Sequence, residues 1–151
     1  MRLKSLEDTI KFSKNISNLI NSGDVIFLYG NIGVGKTTFT RFLINHLENK
    51  NGIKSSDVLS PTFNILYDYD LGRIQISHYD LYRIKNYKDV LQLGMFETSK
   101  DHIKIIEWPE LIKLKPENRI DIYFKYSKSM DSREVNVVGF GKWKDYRFNE
   151  F

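Results

Sequence analysis

Residues 30–37 read Gly30-Asn31-Ile32-Gly33-Val34-Gly35-Lys36-Thr37, the spacing G-x-x-x-x-G-K-T. The chemistry this pattern serves is the holding of a phosphate chain. Glycines at 30, 33 and 35 let the backbone take conformations closed to other residues and bring its N–H groups close to phosphate. Lys36 can set an ammonium against the β- and γ-phosphates, and Thr37 has the hydroxyl that ligates Mg²⁺ in such loops. A loop of this kind hydrolyses nothing alone. The metal wants a further acidic oxygen, or a water held by one, and an attacking water must be positioned. Two acids stand where that chemistry needs them, Asp80 and Glu107, each at the end of a strand-like stretch. Either one alone reads as a solvated surface acid. Both together, in a chain with a phosphate loop, point to a hydrolytic centre at the carboxyl edge of a sheet.

The elements that must position these residues are legible around them. Val25-Ile26-Phe27-Leu28-Tyr29 is near-continuously apolar, as a strand buried on both faces should be. Phe39, Phe42, Leu43 and Leu47 give the next stretch, from about Thr37 to Glu48, a helical period. The motif therefore sits in a strand–loop–helix context. Upstream, Ser5-Leu6-Glu7-Asp8 resembles a capping box opening a helix that runs to about residue 20, and Gly23 lies in the stop that follows. Downstream of Ser60-Pro61, alternation from Phe63 to Tyr69 and from Ile74 to Tyr79 predicts an antiparallel hairpin turning at residues 70–73. Residues 86–100 read as a helix and loop interrupted by Gly94, and 103–106 as a buried strand. A short helix is expected over Leu111–Leu114, and paired strands over 119–126 and about 135–140.

Composition bounds the rest. At 151 residues the chain reads as one domain, residues 1–151, and 41% hydrophobic content suits a folded core. There is no cysteine, so no disulfide framework or thiolate metal site. No apolar run approaches the roughly 18 residues of a membrane helix, and no signal-peptide pattern opens the chain, so a cytoplasmic protein is expected. The net charge of +4, with Lys142, Lys144 and Arg147 near the C-terminus, reads as a solvated basic surface and carries no RNA-binding motif.

Four segments together carry a resemblance. They are Gly30 to Phe39, Ser60-Pro61-Thr62-Phe63, His78-Tyr79-Asp80-Leu81-Tyr82-Arg83 and Ile105-Ile106-Glu107-Trp108-Pro109-Glu110. The set is similar to the TsaE (YjeE) family, bacterial ATPases needed to make threonylcarbamoyladenosine in tRNA. The phosphate loop is shared by many proteins, whereas the other three motifs are more specific in combination. The resemblance implies an α/β fold of P-loop NTPase type, a three-layer sandwich whose central mixed sheet has a parallel core and added antiparallel strands. It implies ATP and Mg²⁺ as cofactors and slow hydrolysis by the chain alone. TsaD and TsaB are the implied partners, with hydrolysis resetting their complex between turnovers. Contact with tRNA would come through that complex, the chain itself being monomeric alone. Nucleotide contact is implied for Asn31, Ile32, Gly33, Val34, Gly35, Lys36, Thr37, Thr38, Thr62 and Trp108. Thr62 resembles a γ-phosphate sensor. Lys36, Asp80 and Glu107 are the implied catalytic residues, and Thr37, Asp80 and Glu107 the metal-side oxygens. Trp108 reads equally as a core tryptophan. Arg83 is left between charge neutralisation, a partner contact and pairing with a surface acid. The sequence departs from the family in Asn31, where an acid is common, in Ile32-Gly33-Val34 for Leu-Gly-Ala, and in Tyr79 for phenylalanine; none is a side chain that backbone phosphate contact needs.

Other readings find less support. A small-molecule kinase wants an arginine-bearing lid, and arginines are few before Arg119. A GTPase wants N-K-x-D, and Asn86-Tyr87-Lys88-Asp89 has the wrong spacing. A nucleotide-dependent adaptor that docks on partners without catalysis differs from the favoured reading only in hydrolysis.

Overall fold

In the computed structural model, residues 1–97 and 100–148 are described. The elements run β1 (Arg2–Leu3), α1 (Leu6–Leu19), β2 (Val25–Tyr29), α2 (Lys36–Lys50), β3 (Leu66–Asp70), β4 (Gln75–Asp80), α3 (Tyr87–Gln92), β5 (Ile103–Glu107), β6 (Arg119–Tyr126) and β7 (Arg133–Phe140). One sheet takes the strands in the order β1-β7-β6-β2-β5-β4-β3. The β6, β2, β5 and β4 strands run parallel, and β7, β3 and β1 add to the edges antiparallel. This is the mixed α/β sheet that the sequence motifs imply.

Alternation sorts the core into two layers. In β2, Ile26 and Leu28 pack with Ile16, Phe39, Leu43 and Ile105 on the side of α1 and α2. Val25 and Phe27 pack with Val90, Met95 and Ile106 on the α3 side. Both faces of the strand are thus covered, which is why its sequence is apolar without a break. Each such side chain, fully buried, stabilises the fold by roughly 1.5–3 kcal/mol. The capping box forms as read. Ser5 Oγ accepts from the Asp8 N–H at 3.1 Å, and the Asp8 carboxylate accepts from the Ser5 N–H at 3.1 Å.

The structure departs from the sequence reading in three places. The first hairpin strand begins at Leu66, not at Phe63. Residues 61–64 turn instead, the Ile65 N–H donating to the Pro61 carbonyl, and Ile65 has φ 66°. The helix expected over Leu111–Leu114 is a single 3₁₀ turn, Pro109–Leu111, because the proline opens it and Ile112 is already extended. The two-residue strand β1 had no signal. It exists because Arg2 and Leu3 pair with Glu134 and Arg133 of β7. Part of the 86–100 helix-and-loop reading falls on residues 98–99, outside those described. The Asn86-Tyr87-Lys88-Asp89 string has a local purpose. Asn86 caps α3, its Oδ1 accepting from the Asp89 N–H at 3.0 Å.

Candidate functional site

The phosphate loop joins β2 to α2, and its glycines adopt the conformations their spacing suggests. Gly30, Gly33 and Gly35 have φ of 137°, 73° and 115°. Gly35 is the cap residue of α2 and makes no side-chain hydrogen bond to the helix. The first amides of α2 and its dipole are therefore directed to the loop concavity, an anion-binding arrangement. Val34 is buried in the core and serves the loop with its backbone, its carbonyl accepting from Arg133 Nε at 3.1 Å. The Ile32 side chain is 68% exposed.

Lys36 folds back over the loop. Its Nζ donates to the Gly30 carbonyl at 2.6 Å and the Asn31 carbonyl at 3.2 Å. The same ammonium lies 3.8 Å from the centroid of the Trp108 ring. Burial pushes the Lys36 pKa down, and the charges of Glu107, Asp80 and Glu110 oppose that. Trp108 takes a left-handed conformation, φ 58°, as the chain turns off β5. It packs against Tyr82 at 4.9 Å, lines the cavity and also packs, half-buried, against the core layer of Val25 and Phe27, so both readings of this residue stay open.

The two acids come together because β4 and β5 are parallel neighbours whose register pairs Asp80 with Glu107. Both are buried. They are held by different donors. Glu107 Oε2 accepts from Thr37 Oγ1 at 3.0 Å, and its Oε1 lies 3.0 Å from His78 Nε2. Asp80 Oδ2 accepts from Thr62 Oγ1 at 2.5 Å, and its Oδ1 from the Tyr82 N–H at 3.0 Å. Ser60 Oγ lies 2.8 Å from the Thr62 hydroxyl. A cavity of about 270 Å³ is lined by Gly33, Lys36, Thr37, Thr62, Asp80 and Glu107 among others, Thr38 and Trp108 included. Eleven of the expected residues thus converge or support the loop by backbone, and Asn31 contributes its carbonyl to Lys36. Arg83 does not line this cavity. Its guanidinium sits 5.1 Å from the ring of Phe63, which is 84% exposed, and it pairs with no acid among the described residues.

Oxygen donors suit Mg²⁺. Among the described residues no three His, Cys, Asp or Glu side chains cluster to cage a metal. The Thr37 hydroxyl and the Glu107 carboxylate, 3.0 Å apart, would leave the remaining positions of an octahedron to phosphate and water, some of it held by Asp80, which is how this ion is usually bound.

The family model for "Threonylcarbamoyl adenosine biosynthesis protein TsaE" matches residues 3–135. The chain belongs to the TsaE family. The tRNA threonylcarbamoyladenosine biosynthesis protein TsaE of Rickettsia prowazekii is 38% identical over 111 residues, 74% of each chain. That of Rickettsia bellii is 36% identical over 137 residues, 90% of this chain and 92% of its own. The crystal structure of Bacillus subtilis YdiB aligns with a TM-score of 0.76 at 27% identity, over 99% of this chain and 90% of that one. Membership places the chain in tRNA threonylcarbamoyladenosine biosynthesis.

Two features of this TsaE-family site were given no role in the sequence reading. A second cavity, about 310 Å³, flanks the loop and shares Gly33, Gly35 and Thr38 with the first. Its far wall is Ser5, Thr9, Ser132 and Arg133, brought together only by the β1–β7 pairing. The other is His78, whose contact with Glu107 is described above. Its signal was the spacing His78-x-Asp80, which puts both on one face of a strand. A further, largely apolar cavity of about 380 Å³ lies beside Val25, Val90 and Lys104 and holds none of the expected site residues. No helix among the described residues is long and apolar enough to cross a membrane.

Proposed function

We propose that this chain binds ATP with Mg²⁺ and hydrolyses it. We further propose that it does so in the cytoplasm as the subunit that acts with TsaD and TsaB in N6-threonylcarbamoylation of adenosine 37 in tRNAs reading ANN codons. Hydrolysis resets that complex between turnovers. The observation that carries the reading is the convergence of Lys36, Thr37, Asp80 and Glu107 on one cavity at the end of the parallel strands. Thr37 and Glu107 hold the metal, whose chemistry when bound is to neutralise charge building on the phosphates. Asp80, tied to Thr62, orients the water on the γ-phosphate side. The cavity beyond the loop, with Ser5, Thr9 and Arg133, takes the base and ribose. Exposed Ile32, Leu59, Phe63 and Tyr82 lie on or beside the segments that line the mouth. They suit a partner protein seated over the nucleotide.

Thermal unfolding with nucleotide tests the binding step. ATP with Mg²⁺ at about a hundred times its Kd stabilises the folded state by about 2.7 kcal/mol, or about 5–10 °C in Tm for a chain of this size. GTP at the same concentration shifts it less, and Lys36→Ala abolishes the ATP shift. A larger shift with GTP, or an undiminished one in Lys36→Ala, contradicts the assignment.

A further inference from the structure

We infer that His78 is a positioning residue for Glu107: its Nε2 hydrogen fixes the carboxylate in the orientation from which, with Thr37, it takes up Mg²⁺. This rests on the function proposed above. His78 is fully buried in β4 and stands opposite Ile105 of β5. Glu107 is two residues beyond Ile105, so its side chain emerges on the same face of the sheet as the imidazole. The separation of 3.0 Å between Nε2 and Oε1 is a hydrogen bond, and an ionised carboxylate can only accept, so Nε2 is the donor. The Thr37 hydroxyl holds the other oxygen at 3.0 Å. Glu107 is thereby fixed at both oxygens, once from β4 and once from α2.

The rest of the imidazole points away from a packing role. Nδ1 is buried and has no hydrogen-bond partner among the described residues. A polar atom removed from water without a partner is destabilising, and an apolar side chain of similar size would fill the space without that penalty. Among the described residues, the one polar contact the ring makes is with Glu107. Carboxylates that ligate metals commonly have such an outer partner, and its loss typically weakens metal binding by ten- to a hundredfold. Asp80 is held by separate donors, Thr62 and the Tyr82 N–H, so loss of His78 leaves it in place.

The test is a Mg²⁺ titration of ATP binding, with ATP affinity in EDTA measured alongside, in the full chain and in His78→Leu, His78→Asn and His78→Gln. A glutamine carboxamide reaches the position of Nε2 and can donate there, whereas asparagine is too short and leucine has no donor. We expect His78→Leu and His78→Asn to raise the Mg²⁺ concentration needed at least about tenfold. His78→Gln should stay within about threefold of the parent, and EDTA affinity should be unchanged in all. Should leucine not fold, the asparagine and glutamine pair still separates reach from polarity. Equal impairment in asparagine and glutamine, or none in any variant, overturns the inference. So does a loss of EDTA affinity that matches the loss with Mg²⁺. A parent chain whose ATP binding ignores Mg²⁺ instead overturns the proposed function, and this inference with it.

Discussion

Asp80→Asn lowers ATP hydrolysis at least about a hundredfold while ATP affinity stays within about threefold, the pattern of a group that acts on the reacting water. Asparagine is nearly isosteric and keeps an oxygen for the Tyr82 N–H, so the loop at 80–82 holds its shape. What is lost is the charge and the acceptor that Thr62 approaches at 2.5 Å. Glu107→Gln behaves differently. It sits against Thr37 in β5's last position, and its change weakens Mg²⁺-dependent binding as well as hydrolysis. Phosphate release, measured with the partner proteins present, together with equilibrium ATP binding separates the two. Hydrolysis at the parent rate in Asp80→Asn would remove Asp80 from the mechanism.

Gly30→Ala unfolds the loop's anchor. Gly30 has φ 137°, and a Cβ there would lie 2.4 Å from the Phe124 carbonyl oxygen of β6. Backbone strain of about 1–3 kcal/mol adds to a clash with main chain that cannot step aside, giving a loss of about 3 kcal/mol or more. That lowers Tm by about 6–12 °C and displaces the loop, so the ATP-induced shift disappears as well. Gly35→Ala supplies the contrast. Its φ is 115°, but a Cβ there meets nothing within 4 Å. Only the strain remains, and Tm falls by less than in Gly30→Ala. Equal losses in the two variants would mean that the approach to β6 contributes nothing.

What the sequence reveals of the fold follows the range of the forces involved. Local chemistry was readable. The phosphate loop, the capping box at Ser5 and Asp8, and the apolar run of β2 each depend on residues within one element or its neighbour. Asp80 and Glu107 were readable as strand-end acids, but their union depends on β4 and β5 being parallel neighbours in register, which spacing along the chain does not reveal. The alternation from Phe63 to Tyr69 misled because period two continues through a segment that the Pro61–Ile65 hydrogen bond closes into a turn. That turn matters, since it carries Thr62 to Asp80. The Asn86 string, whose spacing is wrong for guanine recognition, is a helix cap. Nothing local announced the second cavity: Ser5 and Arg133 are far apart in the chain and meet through a two-residue strand. His78 was visible as a member of an alternating strand and as the first residue of the His78–Arg83 segment, with no role of its own. Its relation to Glu107 crosses from β4 to β5.

We propose that hydrolysis at this site permits repeated rounds of tRNA modification. The direct measurement supplies preformed threonylcarbamoyl-adenylate, TsaD, TsaB and unmodified tRNA, so that this chain is the one component given a nucleotide to hydrolyse. Modified tRNA per complex is counted with ATP and with a non-hydrolysable analogue. Many rounds are expected with ATP and about one with the analogue. Many rounds with the analogue would contradict the proposal.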